Sequence, residues 1–250
     1  MAKTDLAKID ADLAERAKRI KEQIGSSDSR RLTVDQKEGA FIGPGGLNMG
    51  DELKVVVVDF CTYKRYYDRT YNQANPMPPA CVAIGDVLSE MTPEEGVPAP
   101  QSDLCKDCWA NQWESGNGRG KACKDARELA VVLADELEDD EIEPEMYVLS
   151  CSPTSIKSFD AAAAKIYQIY NGTPIKAVMT MRVKATDNFY NVQFGDIEPN
   201  QHLVKVYPLL QKTADLLGRL PDFSTYEPPK QFPPKDVRNQ QTQAPSGRRR

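Results

Sequence analysis

A segment of about sixty residues in the middle of this chain limits what the chain can fold into. From Cys61 to about Lys124 the sequence is rich in proline, glycine and asparagine and has few periodic apolar residues. A structureless stretch of that length is anomalous inside a compact domain. We therefore expect something other than an apolar core to hold it together. Four of the six cysteines lie within it after its first residue: Cys81, Cys105, Cys108 and Cys123.

The spacing of these cysteines is typical of a structural zinc site. Cys105 and Cys108 form a C-x2-C pair, which supplies two of the four thiolate ligands that tetrahedral zinc accepts. Cys123 ends the glycine-rich run GNGRGKAC, and Cys81 follows two prolines. Four thiolates leave no open coordination position, so we expect one structural Zn²⁺ per chain that contributes folding energy. Buried free thiols and a redox dithiol are the alternatives.

Composition limits the other classes of site and protein. The 250 residues carry a formal net charge of -5 and include one histidine, His202, which argues against a histidine triad or multi-histidine metal site. No run of eighteen apolar residues and no apolar N-terminal segment is present, which predicts a cytoplasmic chain with reduced thiols and no membrane association. Cys61 and Cys151 adjoin strand-like runs, where cysteine serves as a small core residue.

Apolar patterning predicts an α+β fold. The β-branched run LKVVVVDF, from Leu53 to Phe60, is typical of a strand buried on both faces. Further strands are expected at 31–34 and 146–150, a hairpin at 175–194, and helices at 155–170 and 201–217, whereas 126–137 fits a helix or a strand followed by a loop. This order favours a small, partly open β-barrel with flanking helices over a doubly wound parallel sheet.

We expect three parts along the chain. Residues 1–25 form a charged helix, residues 30–220 form the core domain with the zinc-stapled insertion at 61–124, and residues 221–250 form a disordered, basic tail rich in proline and glutamine. The span from Asp135 to Glu145 holds eight acidic residues, which predicts an exposed loop.

Aromatic and basic side chains are concentrated after the long strand. Four tyrosines and three basic residues occupy the nine positions from Tyr63 to Tyr71. Flat rings for stacking and cations for phosphates are what single-stranded nucleic acid requires. A tyrosine-rich loop packed over the core is the alternative. The candidate stacking residues are Tyr63, Tyr66, Tyr67, Tyr71, Trp109 and Trp113, and the candidate phosphate contacts are Lys64, Arg65, Arg69, Arg119, Lys121, Lys124, Arg182 and Lys184.

Several blocks of this sequence resemble a known family. VVVVDFCTYKRYYDRTY, PPACVAIG, SDLCKDCWANQWES, GRGKACKDAREL and SPTSIKSF, within about 32–198, are similar to tailed-bacteriophage single-stranded-DNA-binding proteins of OB-fold type with a four-cysteine zinc-binding insertion. The resemblance implies an OB-like barrel, the same four cysteines as zinc ligands, and a nucleic-acid face near the tyrosine-rich run. The chain departs from replication-type binding proteins with acidic tails, because it ends in three arginines.

These features predict non-catalytic, largely sequence-independent binding of single-stranded DNA in phage DNA replication or recombination, inside the host cytoplasm. Phage replication or recombination proteins are further candidate partners. No Walker loop or G-x-S-x-G elbow is present, and thiolates do not suit magnesium, so we expect no enzyme. The alternative function is a zinc-knuckle adaptor that binds another protein and no nucleic acid, which the acidic loop and the N-terminal helix favour.

Overall fold

The computed structural model describes residues 30–70, 77–87, 89–116, 120–139 and 143–228, which fold around one eight-stranded sheet. The predicted N-terminal helix lies outside these residues. Two α-helices are described, α1 (Pro153–Tyr170) and the short α2 (Leu203–Val206), and α2 leads into a 3-10 helix at Tyr207–Asp215. The strands are β1 (Arg31–Asp35), β2 (Ala40–Ile42), β3 (Glu52–Tyr66), β4 (Cys81–Gly85), β5 (Cys123–Leu133), β6 (Met146–Cys151), β7 (Ala177–Ala185) and β8 (Tyr190–Pro199).

Strand β3 organises the sheet. The strand order is β2-β1-β6-β5-β3-β7-β8, and β4 pairs with β3. One edge of β3 pairs with β5 along most of its length, while the other edge pairs first with β7, as far as Val56, and then with β4, from Thr62 onward. All pairs are antiparallel except β1 with β6. The result is an α+β fold whose sheet curls into an open half-barrel.

Both faces of β3 are covered, which confirms the prediction from its valine run. Val55 and Val57 lie in the core cluster beneath α1, with Phe159 as its largest helical contributor. Val56 and Val58 lie in the opposite cluster, which the C-terminal helical segment covers with side chains such as Leu209. Since neighbouring strand residues point to opposite faces, a strand between two apolar layers needs apolar residues at every position.

The open edge of the half-barrel at β8 is capped by side chains. The Val192 N–H donates to Ser155 Oγ at 3.0 Å, and the Phe194 N–H donates to Ser158 Oγ at 2.9 Å, both on α1. The Tyr190 N–H donates to Gln36 Oε1 at 2.9 Å. Unpaired N–H groups on an edge strand invite pairing with other chains, so these caps protect the edge.

The structure decides one ambiguous segment and corrects three predictions. Residues 126–137 form most of β5 and then a 3-10 helix, because both faces of this stretch are buried within the sheet. The strand predicted to end at Phe60 continues to Tyr66, since β4 and β5 both pair with its second half. The helix predicted at 201–217 is a short α-helix followed by a 3-10 helix. Residues 221–228, assigned to the disordered tail, pack on the domain body through Phe223 and Tyr226.

No helix among the described residues combines the length and apolarity that crossing a bilayer requires.

The cap on β8 gives a stability prediction. Ser155→Ala should destabilise the protein by about 1–3 kcal/mol, because the Val192 N–H would stay buried without a partner. The loss should appear as a lower urea midpoint. Gln168→Ala, at an exposed position on the same helix, is the matched control and should change the midpoint little. Equal midpoints for both variants would show that the cap does not stabilise the half-barrel.

Candidate functional site

Four cysteines line one small cavity at the outer end of β3. Cys81 is the first residue of β4 and Cys123 the first of β5, and both pair directly with Tyr66 on the strand between them. Residues in such a row share one face of the sheet. Cys105 and Cys108 lie over this row in the connecting segment. The cavity has a volume of about 20 Å³, and all four cysteines are buried.

The C-x2-C turn is held by hydrogen bonds to the loop that follows β4 and within its own loop. The Cys105 N–H donates to Met91 O at 2.9 Å, and the Cys108 N–H donates to Cys105 O at 3.4 Å. Asn111, in a 3-10 turn after Cys108, donates from Nδ2 to Cys105 O at 2.8 Å. Local sequence therefore forms the turn, while the sheet supplies the other two cysteines.

Burial controls the protonation of these thiols. It raises the pKa of Cys123 to about 12 and that of Cys105 to about 11, and it raises the pKa of Cys81 as well. The nearby Lys64 ammonium acts in the opposite direction on Cys105 and Cys123. These three thiols are therefore neutral at pH 7 unless a further cation stabilises their thiolates.

The described structure does not test the zinc prediction. In the described parts of the chain, no group of at least three histidine, cysteine, aspartate or glutamate side chains is arranged to hold a metal ion. The four predicted ligands nevertheless line one cavity, because the fold brings the starts of β4 and β5 next to the C-x2-C turn. Zinc binding stays a prediction. Cys151 lies in the core cluster beneath α1, which confirms that it serves as a core residue. Cys61 is buried as well, at the wall of a separate cleft.

Lys64 and Tyr63 are not available to nucleic acid, and their prediction as contacts is wrong. Lys64 is 3% exposed, and its Nζ donates to Asp125 Oδ1 and, at 3.1 Å, to Asn111 Oδ1. Tyr63 is 2% exposed, and its hydroxyl donates to Arg219 O at 3.2 Å. The physical reason is that the tyrosine-rich run continues a central strand, so its side chains alternate between two covered faces.

Most other predicted phosphate contacts form ion pairs within the protein. Arg65 Nη2 lies 3.0 Å from the buried Glu128 Oε1, and Arg69 Nε lies 3.0 Å from Asp68 Oδ1. The remaining pairs join Lys121 to Asp125 at 3.3 Å, and Arg182 to Glu52 at 2.6 Å and to Asp196.

Two of the predicted phosphate contacts, Lys124 and Lys184, are exposed side chains on strands. Lys124 is exposed on β5, where its Nζ donates to Lys121 O at 2.6 Å. Lys184 is exposed on β7, two residues after Arg182, so the two side chains share a sheet face. Arg119 and Tyr71 lie outside the described residues.

Three predicted stacking residues present exposed rings. Trp113 is 74% exposed, Trp109 43% and Tyr67 40%. The Trp109 ring stands edge-on to the half-buried Tyr66, with 5.5 Å between centroids, and its Nε1 donates to Gln101 Oε1 at 3.2 Å. Lys121 Nζ lies 5.8 Å from the Trp113 ring centroid. The segment around the cysteine cavity thus carries two accessible indoles and a nearby cation.

Sequence reasoning missed the residues that support this site. Asp125 and Asn111 join Lys64 and Lys121 in one hydrogen-bonded network, in which Lys121 Nζ lies 3.1 Å from Asn111 Oδ1. Burial acts to raise the pKa of the Asp125 carboxyl, but the hydrogen bonds and charges of the two lysines outweigh it and hold that pKa below its usual range. Asp125 lies two residues after Cys123, so period-two alternation would have placed both on one face had β5 been recognised to begin there.

A larger cleft of about 420 Å³ lies beside the middle of β3, apart from the four-cysteine cavity, and Cys61 is among its lining residues. It opens where the edge of β3 passes from β7 to β4. Arg127 lines it but is bound to Thr62 Oγ1 and pairs with Asp160 at 3.4 Å. None of the candidate nucleic-acid residues lines this cleft.

Comparison of the chain with protein-family models, curated proteins and solved structures found no match. The resemblance to tailed-phage binding proteins therefore stays an expectation from sequence blocks.

Breaking the buried ion pair beside the cysteines should destabilise the fold. Lys64→Met keeps a linear side chain but leaves Asp125 without its closest cation, and we expect a loss of about 3 kcal/mol in the free energy of unfolding. Adding Asp125→Ala should recover part of that loss. Lys184→Met, at an exposed position, is the control. Urea unfolding measures all four proteins, and a Lys64→Met loss no larger than that of Lys184→Met would contradict the pair's role.

Proposed function

We propose that this protein binds single-stranded DNA without catalysing a reaction, on a small, partly open OB-like barrel. Its place would be phage DNA replication or recombination in the host cytoplasm. The observation that carries the proposal is the exposed Trp113, beside Lys121 and on the same short segment as Trp109. Exposed rings with adjacent cations are the groups that hold single strands, by stacking and by neutralising phosphates.

The proposed contacts are the candidate side chains that remain exposed. Bases would stack on Trp113, Trp109 and Tyr67, and phosphates would meet Lys121 and Lys124 around them. Every base has a π-face, so stacking on such rings tolerates any sequence. Each neutralised phosphate releases counterions, so binding would weaken as salt rises. Arg119 and Tyr71 remain candidates by sequence, and Lys184 is a candidate on β7.

We further propose that Cys81, Cys105, Cys108 and Cys123 hold a structural Zn²⁺. Four thiols around one cavity, two of them in a C-x2-C turn, match the donor set of closed zinc sites. Four thiolates and one Zn²⁺ would carry a formal charge of about -2, which the buried Lys64 ammonium beside them would partly offset. The ion would stabilise the segment that presents the two indoles.

A protein adaptor is the second candidate function. Four of the candidate phosphate contacts already form ion pairs with carboxylates of this chain, so their positive charge is partly neutralised. They are Arg65, Arg69, Lys121 and Arg182. Exposed tryptophans also dominate many protein–protein interfaces. An adaptor would use Trp113 and Trp109 against a partner protein and would show no affinity for nucleic acid.

Titration of a fluorescent dT oligonucleotide separates the two functions. The protein should bind saturably at low salt, and Trp113→Ala should weaken binding by about 1–3 kcal/mol, or roughly 5- to 150-fold, because one stacking ring is lost. Tyr167→Ala removes an exposed ring on α1, away from the cysteine cavity, and should leave the affinity unchanged. Absence of saturable binding by the wild-type protein would refute DNA binding and favour the adaptor.

Metal content tests the zinc proposal independently. Elemental analysis of the purified protein should give about one zinc per chain, and Cys105→Ser should lose the metal and lower the melting temperature. Cys61→Ser alters a buried thiol outside the cavity and should retain the zinc. Metal-free wild-type protein whose stability a strong chelator does not change would rule the site out.

A further inference from the structure

The cleft of about 420 Å³ beside the middle of β3 lies at a gap in the sheet. The edge of β3 that faces it pairs with β7 as far as Val56 and with β4 from Thr62 onward, and no described strand pairs with that edge in between. Both sheet faces therefore contribute walls. Arg127 pairs with Asp160 of α1 on one face, whereas Thr213 belongs to the C-terminal helical segment on the other. Small-molecule sites occupy about 300–1,000 Å³, so this cleft is large enough for one.

A β-bulge turns Asp59 toward this cleft. The register of β3 against β5 shifts between Val57 and Asp59, and the Phe60 ring packs against Phe159 on the α1 side. Asp59 reaches the opposite face, where its Oδ2 lies 3.1 Å from Thr213 Oγ1. Bulges re-aim side chains in this way and are over-represented next to active sites.

The Asp59 carboxylate is short of hydrogen-bond donors. Its Oδ1 accepts the Phe60 N–H at 2.9 Å. The Thr213 hydroxyl, on a side chain that is 3% exposed, lies 3.1 Å from Asp59 Oδ2 and 2.8 Å from Leu210 O. Because a hydroxyl has one proton, it donates to one of these two acceptors, and the shorter distance favours Leu210 O. A donor placed in the cleft would complete the hydrogen bonds of Asp59.

A second carboxylate lies on the same side of the cleft. Asp86, directly after β4, is exposed and lines the cleft. Burial raises the pKa of the Cys61 thiol to about 12, and the charges of Glu128, Asp86 and Asp59 raise it further, so both cleft carboxylates are close to this thiol. Among the described residues, neither Asp59 nor Asp86 has a cationic partner, and this wall therefore attracts positive charge.

The wall on the α1 side carries a cation. Arg127 donates from Nη1 to Thr62 Oγ1, and its Nε lies 3.4 Å from Asp160 Oδ1. Its Nη2 forms no hydrogen bond with the described residues, so the guanidinium can still donate to a carboxylate in the cleft. Leu217 and Ala214 add an apolar surface beside these charged groups.

We propose that this cleft binds an α-amino acid with an aliphatic side chain. The ammonium group lies between Asp59 and Asp86, and the carboxylate meets the Arg127 guanidinium. The aliphatic side chain contacts Leu217 and Ala214. A zwitterion matches carboxylates on one wall and a guanidinium on the other, whereas DNA phosphates would be repelled by those carboxylates. The site is separate from the proposed DNA surface and goes beyond the proposed function.

Calorimetric titration of the full-length protein with L-leucine tests the site. L-leucine should bind saturably, and two analogues should each bind at least about tenfold more weakly, because each lacks one of the charged groups. Isoamylamine lacks the carboxylate, and isocaproate lacks the ammonium group. Absence of L-leucine binding, or equal affinity for either analogue, would overturn the inference. Both results would leave the DNA proposal standing, because that proposal rests on other residues.

Substitutions in the two walls locate the bound amino acid. Asp59→Asn, which keeps an acceptor for the Phe60 N–H, and Arg127→Gln should each weaken L-leucine binding by about tenfold or more. Asp86→Asn, at an exposed position, should weaken it about two- to fivefold. The control Asp187→Asn removes the same charge in the exposed turn between β7 and β8 and should leave the affinity unchanged.

Circular dichroism shows which variants are folded. If Asp59→Asn and Arg127→Gln do not fold, the comparison of Asp86→Asn with Asp187→Asn decides, because both of these positions are exposed. Folded wall variants that bind L-leucine as tightly as the wild-type protein would show that the amino acid binds elsewhere, which would overturn the inference.

Discussion

The pairing of β3 with three other strands is the constraint on which the rest of the structure depends. Its first half lies between two apolar layers, and its second half carries Tyr66 between Cys81 and Cys123. One strand therefore joins the hydrophobic core to the cysteine cavity without an intervening loop. Because the pleat alternates, the same strand directs Lys64 toward the cavity and Tyr63 toward Arg219 on the opposite face.

The cysteine cavity is tied to its surroundings by charge as well as by backbone pairing. Lys64 is buried beside the thiols and is neutralised by Asp125, which also holds Lys121 near the Trp113 ring. A buried ammonium without such a partner would be strongly unfavourable. The network thus connects the interior of the cavity to Lys121, which lies beside the exposed Trp113 ring.

Local sequence patterns predicted which helices and strands form more accurately than where they end or which strands pair. The valine run indicated a doubly covered strand, and the pattern at 155–170 indicated α1, since both signals come from residues close together in the chain. The continuation of β3 to Tyr66 was missed because Tyr-Lys-Arg-Tyr-Tyr has no alternating apolar pattern. Only pairing with β4 and β5 makes that stretch a strand.

By itself, the sequence determined the α+β class, the doubly buried strand and the C-x2-C turn, because each depends on residues close together in the chain. The tertiary structure alone decided that Cys81 and Cys123 lie on either side of Tyr66, and that Lys64 is buried while Trp113 is exposed. It also decided that residues 218–228 return to Asp68. These contacts join segments up to about 160 residues apart in the sequence. Strand register decides which side chains meet, and local periodicity does not encode that register.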